Sequence, residues 1–394
     1  MKTYSLHHKE KGLITYVDKK RYLWLSSVFY PLFPMLFVAL YLQTGNEILL
    51  ALPLMINYLV LPVIDWVVGV DTSNPPEELV HQLEDDKYYR LLTYLTVPMH
   101  FIVLIAFSWL VGTQDLSVWA TAVVAIVAGG YSGLGINTAH ELGHKNTVLE
   151  QWLAKILLAV PAYGHFSIEH NKGHHVLVAT PEDPASSRLG ESIYAFILRE
   201  IPETFKRGWQ LEKERLATAR QSTWSQHNNV LQSYAITLAF QSSLCIYFGW
   251  HILPFLLLHN FWAWFQLTSA NYIEHYGLLR EKKENGRYER PKPHHSWNTN
   301  YIVSNLVLFH LERHSDHHAY PARRYQSLRN FDNIPELPNG YFGMYVIAYI
   351  PWLWFKVMDQ RVLDLPHIKG DLTKVNICPK KRDYYESKLT TELA

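Results

Sequence analysis

Histidine spacing is where chemistry can first be read in this chain. The stretch HELGH (140–144) sets His140 and His144 four apart with Glu141 between them. EHNKGHH (169–175) carries His170, His174 and His175, NYIEHYG (271–277) carries His275, and LERHSDHHA (311–319) carries His314, His317 and His318. On a helix, residues three or four apart share a face, so imidazoles at these spacings can converge on a metal ion. One ion accepts about four to six ligands, so nine histidines suit two. An all-imidazole donor set fits iron, copper, zinc or nickel. HELGH alone matches a zinc protease, but that reading uses two histidines, one further ligand and the glutamate, and leaves the other clusters without a role. His165, His294, His295 and His310 lie near the clusters and are alternates for any one ligand. Acidic and amide residues recur beside them, and Glu141, Glu169, Glu274 and Asp316 are expected to accept the outer N–H of ligating imidazoles.

The elements that must hold these residues are apolar. Tyr22–Gln43 is 22 residues without Asp, Glu, Lys or Arg, Ile48–Ile64 is 17, and Leu91–Gln114 and Leu116–Ala139 are 24 each. Gln221–Ile273 has none in 53 residues and is divided by GWHILP (249–254). A bilayer core takes about 20 apolar residues per helix, so the pattern predicts six spans in three hairpins. Trp152–Ile168 and Tyr341–Phe355 carry proline or polar residues and read as interfacial or packed against the bundle. EKKENGRYERPKPHH (281–295) reads as a solvated loop, and no cleavable signal peptide is visible at the start.

All 36 Lys and Arg fall on the side opposite the tight turns at 44–47, 113–115 and 249–254. That side is cytoplasmic by the positive-inside rule, so both termini and all nine histidines are expected there. The predicted fold is an all-α integral membrane protein. Residues 1–275 form a six-helix bundle including a cytoplasmic His-rich loop (140–229), residues 276–394 form a cytoplasmic C-terminal cap, and the His-rich cytoplasmic cap holds a dinuclear metal site. The net charge of +1 gives no global basic field, which argues against nucleic acid. The spans hold few ionisable residues, Asp65 and His100 being the main exceptions, which argues against an ion transporter.

NTAHELGHK, EHNKGHH, NYIEHYGL and LERHSDHHA together resemble the signatures of the membrane-bound non-haem di-iron alkane 1-monooxygenases, from the first span to about residue 360. Fatty-acid desaturases and hydroxylases and xylene-type methyl hydroxylases have related histidine boxes and form the alternative. The resemblance implies a bacterial inner-membrane enzyme with two non-haem irons held by His140, His144, His170, His174, His175, His275, His314, His317 and His318. It implies insertion of one oxygen of O2 at the terminal methyl of a medium-chain linear alkane drawn from the bilayer, giving a primary alcohol. The chemistry agrees. An unactivated C–H bond has no acidic proton or leaving group, so it calls for a redox metal. Trp66, Trp109, Trp119, Trp262 and Trp264 are candidates to line the alkane's path or, more plainly, to face lipid.

Electrons must come from elsewhere. GYSGLG (130–135) lies inside the fourth span with no preceding strand, so it is no dinucleotide fingerprint. Two cysteines 133 positions apart hold neither an iron–sulfur cluster nor a four-thiolate iron. The resemblance implies a separate rubredoxin with its reductase; some relatives carry a fused rubredoxin and this sequence does not. Arg323, Arg324 and Arg329, just beyond the last histidine cluster, are the expected docking patch for that acidic carrier.

Overall fold

The computed structural model describes residues 1–392 and is mostly helical, with one antiparallel hairpin of β1 (Lys2–His8) and β2 (Gly12–Asp18). The segment carries several polar and basic residues. Its alternation is the missed signal, since Tyr4, Ile14 and Tyr16 turn inward onto Trp24, Leu79 and Tyr89.

Four helices are long and apolar enough to cross a membrane: α1 (Leu25–Thr44), α2 (Glu47–Val68), α3 (Lys87–Thr113) and α4 (Val118–Gly143). Helices α5 (Val148–Ala159), α6 (residues 166–177) and α7 (Ile193–Thr218) follow. The segments expected as the fifth and sixth spans form helices α8 (Asn229–Phe248) and α9 (Leu253–His275), joined by a turn through Gly249 at φ 99°. They are less apolar, and reciprocal hydrogen bonds between Gln241 and Asn260 tie them together. The chain ends with α10 (Ile302–Val307), α11 (His314–Ala319), α12 (Tyr341–Ala348), α13 (Pro351–Leu363) and α14 (Arg382–Glu392). At 12 and 8 residues, α5 and α12 are too short to span a bilayer, as expected.

The centre of the bundle is the α4–α9 pair. GYSGLG finds its role here. A Cβ on Gly129 would stand 2.6 Å from the His259 carbonyl, and one on Gly133 would stand 2.7 Å from Gln266 Cβ, so the two helices meet only because these positions are bare. The three tight turns gather at one end, where Glu47 accepts hydrogen bonds from the Ser117 amide (2.7 Å) and hydroxyl (2.6 Å), and Gly112 abuts Phe248. The histidine-bearing ends of α4 and α9 lie at the other. There a hydrophobic core joins Leu61 and Ile193 to Tyr272, Trp297, Tyr341 and Met358, so segments on both sides of residue 275 are packed into one body.

Candidate metal centre

The nine histidines come together in two groups. His140, His144, His170, His175 and His317 form the first, and His174, His275, His314 and His318 the second; within each group the ligand atoms lie within 4.8 Å of one another. The division cuts across the sequence boxes. Residues 170–174 form a π-helical turn, which adds a residue to the turn and aligns His170 with His175 rather than with His174. His174 is thereby swung into the other group. In α11 the ordinary helical spacing pairs His314 with His318, and His317 points to the first group. Spacing alone predicted one face per box; the π turn breaks this at 170–175, and at 314–318 the i+3 residue His317 faces away from the i, i+4 pair.

The inward atoms are Nε2. In the first group, His140 and His317 Nε2 are 2.8 Å apart, His317 and His175 3.1 Å, and His175 and His170 2.9 Å, while His144 Nε2 has no partner. In the second, His318 and His314 are 2.9 Å apart, His314 and His275 3.3 Å, and His174 Nε2 has no partner. A neutral imidazole carries one N–H and one lone pair. Two outer contacts assign them, with His174 Nδ1 at 2.8 Å from Asp183 Oδ2 and His275 Nδ1 at 3.2 Å from the His295 carbonyl. At these two histidines the Nδ1 proton can sit outside, which leaves an Nε2 lone pair free to face a cation. The donor set fits metal ions.

Electrostatics agree. Burial holds the imidazoles of His170, His175, His314, His317 and His318 below their ordinary range, so they are neutral and ready to ligate. Burial also pushes His174 down, but the Asp183 carboxylate overrides it and the imidazole ends above its usual value. Asp183 in turn is held well below the carboxylate range, its burial outweighed by His174 and Arg207.

The expected outer carboxylates are placed differently. Glu141 pairs with Lys145 at 3.1 Å, Glu169 binds Arg207, and Asp316 pairs with Arg323 at 3.1 Å; each holds a cation rather than an imidazole. Glu274 lies on the inner side, with Oε2 3.3 Å from His314 Nε2 and Oε1 unpartnered. Asp183, which fills the outer role, was missed because no spacing motif marks it. The amides clamp the ligand-bearing segments together, as Asn137 donates to the Leu308 carbonyl and Asn171 to the Gly143 carbonyl, both at 2.7 Å.

The alternates lie elsewhere. His310 Nδ1 meets the Tyr325 carbonyl at 2.9 Å, and His165 Nδ1 meets Tyr234 at 3.0 Å. Among the described residues, Glu289, His294 and His295 make a third ligand-capable group. There His295 Nδ1 accepts the Lys292 N–H at 2.9 Å, which leaves the proton on Nε2, 3.3 Å from Glu289, and Glu289 also holds Lys292. That set is satisfied internally, and it corrects the solvated reading of 281–295 at its last residues. The basic docking patch is also not presented. Arg323 is bound by Asp316 and Glu77, Arg324 by Glu150 and Arg329 by Glu77, leaving their side chains only 9%, 11% and 20% exposed. Sequence proximity placed these arginines near the centre, but carboxylates from distant segments consume them.

A narrow apolar crevice runs between α2, α4, α9 and α12, lined by Leu54, Tyr58, Val127, Tyr131, Leu267 and Phe342. Its lining also includes Asn137, Ala270 and Leu311, three to five residues before His140, His275 and His314, so its inner end lies near the centre. Trp66, Trp109 and Trp119 are exposed on the bundle's outside, and Trp262 and Trp264 pack inward.

A family model described as fatty acid desaturase matches residues 117–349. The alkane 1-monooxygenase 1 of Alcanivorax borkumensis is 54% identical over 374 residues, covering 95% of this chain and 92% of that protein. The alkane 1-monooxygenase of Ectopseudomonas oleovorans is 54% identical over 379 residues, covering 96% and 94%. The xylene/toluene monooxygenase hydroxylase component of Pseudomonas putida is 27% identical over 224 residues, 56% of this chain and 58% of that protein.

Proposed function

This chain belongs to the alkane 1-monooxygenase family, and we propose that it converts linear, medium-chain alkanes to primary alcohols at the paired histidine groups. The overall reaction takes an alkane, O2, two electrons and two protons to the alcohol and water. The observation that carries the reading is the convergence of nine imidazoles into groups of five and four, with their ligand atoms within 4.8 Å of one another in each group. His140, His144, His170, His175 and His317 would hold one iron, and His174, His275, His314 and His318 the other, with Glu274 beside it. Bound there, the irons supply the O2 activation that no side chain can.

The rest belongs to the chain. The crevice holds only about 30 Å³ as it stands and would have to widen for a chain; a hydrocarbon entering along it would meet the centre end-on, which favours the terminal methyl. Tyr58 and Tyr131 along it are hydrogen-bonded within the protein, to Gln266 and to Asn57 at 3.4 Å, so the bore offers hydrocarbon little reason to stop short. Asp183 and the His295 carbonyl keep the Nδ1 protons of His174 and His275 outward.

Four apolar helices and the family make this a membrane protein. The six-span topology, with the histidines cytoplasmic in a bacterial inner membrane, is supported by the one-sided Lys and Arg. Cysteines introduced at Gly45, Gln114 and Trp250 should then react with reagents added outside, and labelling of 281–287 from outside would refute it. Two electrons per turnover come from a separate rubredoxin-type carrier and its reductase. Supporting this, the two cysteines, Cys245 and Cys378, cannot together bind an iron–sulfur centre.

The test is metal analysis of purified protein with product analysis on an alkane, O2 and a reductase chain. About two irons and a primary alcohol are expected. Preferential conversion of an acyl lipid, or of a methyl-substituted aromatic, would favour the desaturase-like or xylene-type alternative.

A further inference from the structure

The narrow crevice between α2, α4, α9 and α12 does not say where the alcohol goes. A second apolar cleft, of about 680 Å³, lies between the 162–165 turn, α7, α8 and α9. Phe205, Tyr234, Leu257 and Trp264 line its sides, and Phe205 and Leu257 are exposed at its mouth. Tyr194 and Leu198 continue that exposed apolar stripe along α7. The volume lies in the range of sites that take small organic molecules.

The floor of this cleft is close to the metal centre. Tyr163 stacks on Phe166 at 5.7 Å between ring centroids, and Phe166 packs on His170 at 4.9 Å and His140 at 6.4 Å. One aromatic layer thus separates the cleft from the first histidine group.

The cleft also contains one unanswered polar atom. His165 is only 3% exposed and lines the space; its Nδ1 meets Tyr234, and its Nε2 has no partner. A buried polar nitrogen left unmatched is rare in folded proteins and points to something that pairs with it. The Nδ1 contact works in either direction, so Nε2 is a donor in one tautomer and an acceptor in the other. A hydroxyl satisfies both. An ester carbonyl or phosphate oxygen satisfies only the first, and an alkane satisfies neither.

We propose that this cleft binds the primary alcohol product on its way to the bilayer, its chain along Phe205, Leu257 and Trp264 and its hydroxyl on His165 Nε2. This rests on the reading that the chain makes a primary alcohol. It adds a binding site to that reading, and it gives His165, which belongs to neither histidine group, a role.

The test uses the iron-loaded protein in lipid nanodiscs and a medium-chain primary alcohol with a diazirine at the far end of its chain. Irradiation should label residues 201–206 and 257–264, and excess 1-octanol should suppress the labelling. The matched diazirine alkane should label them several-fold less. His165→Leu should weaken alcohol labelling about fivefold, the change that loss of one modest hydrogen bond brings. Leu257→Trp, at an exposed position and so a small risk to folding, should fill the cleft and lower labelling to a similar extent. Equal labelling by the alkane probe, unchanged labelling in Leu257→Trp, or displacement by added phospholipid but not by 1-octanol overturns the proposal. Failure of the underlying reading shows separately, as no primary alcohol from alkane, O2 and reductant with the same preparation.

Discussion

The two histidine groups use the same donors with different support. The first has five imidazoles from α4, α6 and α11, packed against Phe166, and no carboxylate touches its ligand nitrogens. The second has four, but Asp183 stands behind His174, the His295 carbonyl behind His275, and Glu274 beside His314. Neutral imidazoles do not compensate a dication's charge, whereas buried carboxylates do. The first group therefore depends on ligand number and the second on its surroundings. The same side chain in the same buried setting should fail differently in the two places.

Ligand deletion gives the largest expected effect. His170→Ala and His314→Ala should each lower alkane hydroxylation by more than about 100-fold, since the reaction uses both sites. Iron content should separate them. His314→Ala leaves three imidazoles in the second group and should lose most of that ion, while His170→Ala leaves four in the first and should keep more. Elemental analysis showing equal loss in both variants would break the comparison.

Next comes Asp183→Asn. Asp183 meets His174 Nδ1 and Arg207 at 2.8 Å and accepts from the Ser186 hydroxyl at 2.7 Å. Loss of an outer carboxylate on a ligating histidine typically costs 10- to 100-fold in metal affinity. Chelator competition should therefore strip one of two irons from this variant sooner, with the other unchanged. Loss of both together would mean that Asp183 supports the whole centre.

That these nine histidines gather was legible in the sequence, and how they divide was not. Histidine types and spacings sufficed to gather the nine residues, because a dense set of imidazoles on one membrane face has few other uses. Partition depended at 170–175 on a π turn that the letters HNKGHH do not announce. The spans were legible from apolar runs, and the four most apolar emerge as continuous helical segments close to the expected limits. The outer carboxylates were not, because adjacency in sequence says nothing of which side of an imidazole a neighbour reaches. Glu141 and Asp316 sit beside ligands yet face Lys145 and Arg323, while Asp183 arrives from a loop nine residues beyond His174. Arg323, Arg324 and Arg329 failed as an exposed patch for the same reason, since their partners Glu77 and Glu150 are far away in the chain.

A pH measurement sharpens the second group's dependence on its surroundings. Glu200 on α7 is buried and accepts from Thr268 Oγ1 at 2.8 Å and Asn271 Nδ2 at 3.1 Å, bracing α9 just before His275. Burial pushes its carboxyl up to about 7 from 4.5. The unfolded chain ionises first, so the stability held by the neutral carboxyl is full below 4.5 and is lost as pH rises through about 7. A shift of that size is worth at most about 3 kcal/mol. Glu200→Gln cannot ionise, so its melting temperature should gain on wild type between pH 5 and pH 8. A constant difference across that range would show that Glu200 is not buried in its neutral form.

The smallest expected effect is at Gly173, inside the π turn. A Cβ there would stand 2.6 Å from Arg207 Nε and 3.0 Å from Glu169 Oε1. Arg207 joins Glu169 to Asp183, so displacing it loosens the carboxylate that orients His174. Two terms oppose each other in stability. Alanine favours helix over glycine by about 1 kcal/mol, and the displaced guanidinium, being partly exposed, can shift at comparable cost. Gly173→Ala should therefore melt within a few degrees of wild type. Its second iron should bind only a few-fold more weakly, while the first, whose ligands His170 and His175 do not lean on Arg207, stays as it was. A variant that instead loses the first iron would show that the π turn, rather than the Asp183 contact, is what the two groups have most in common.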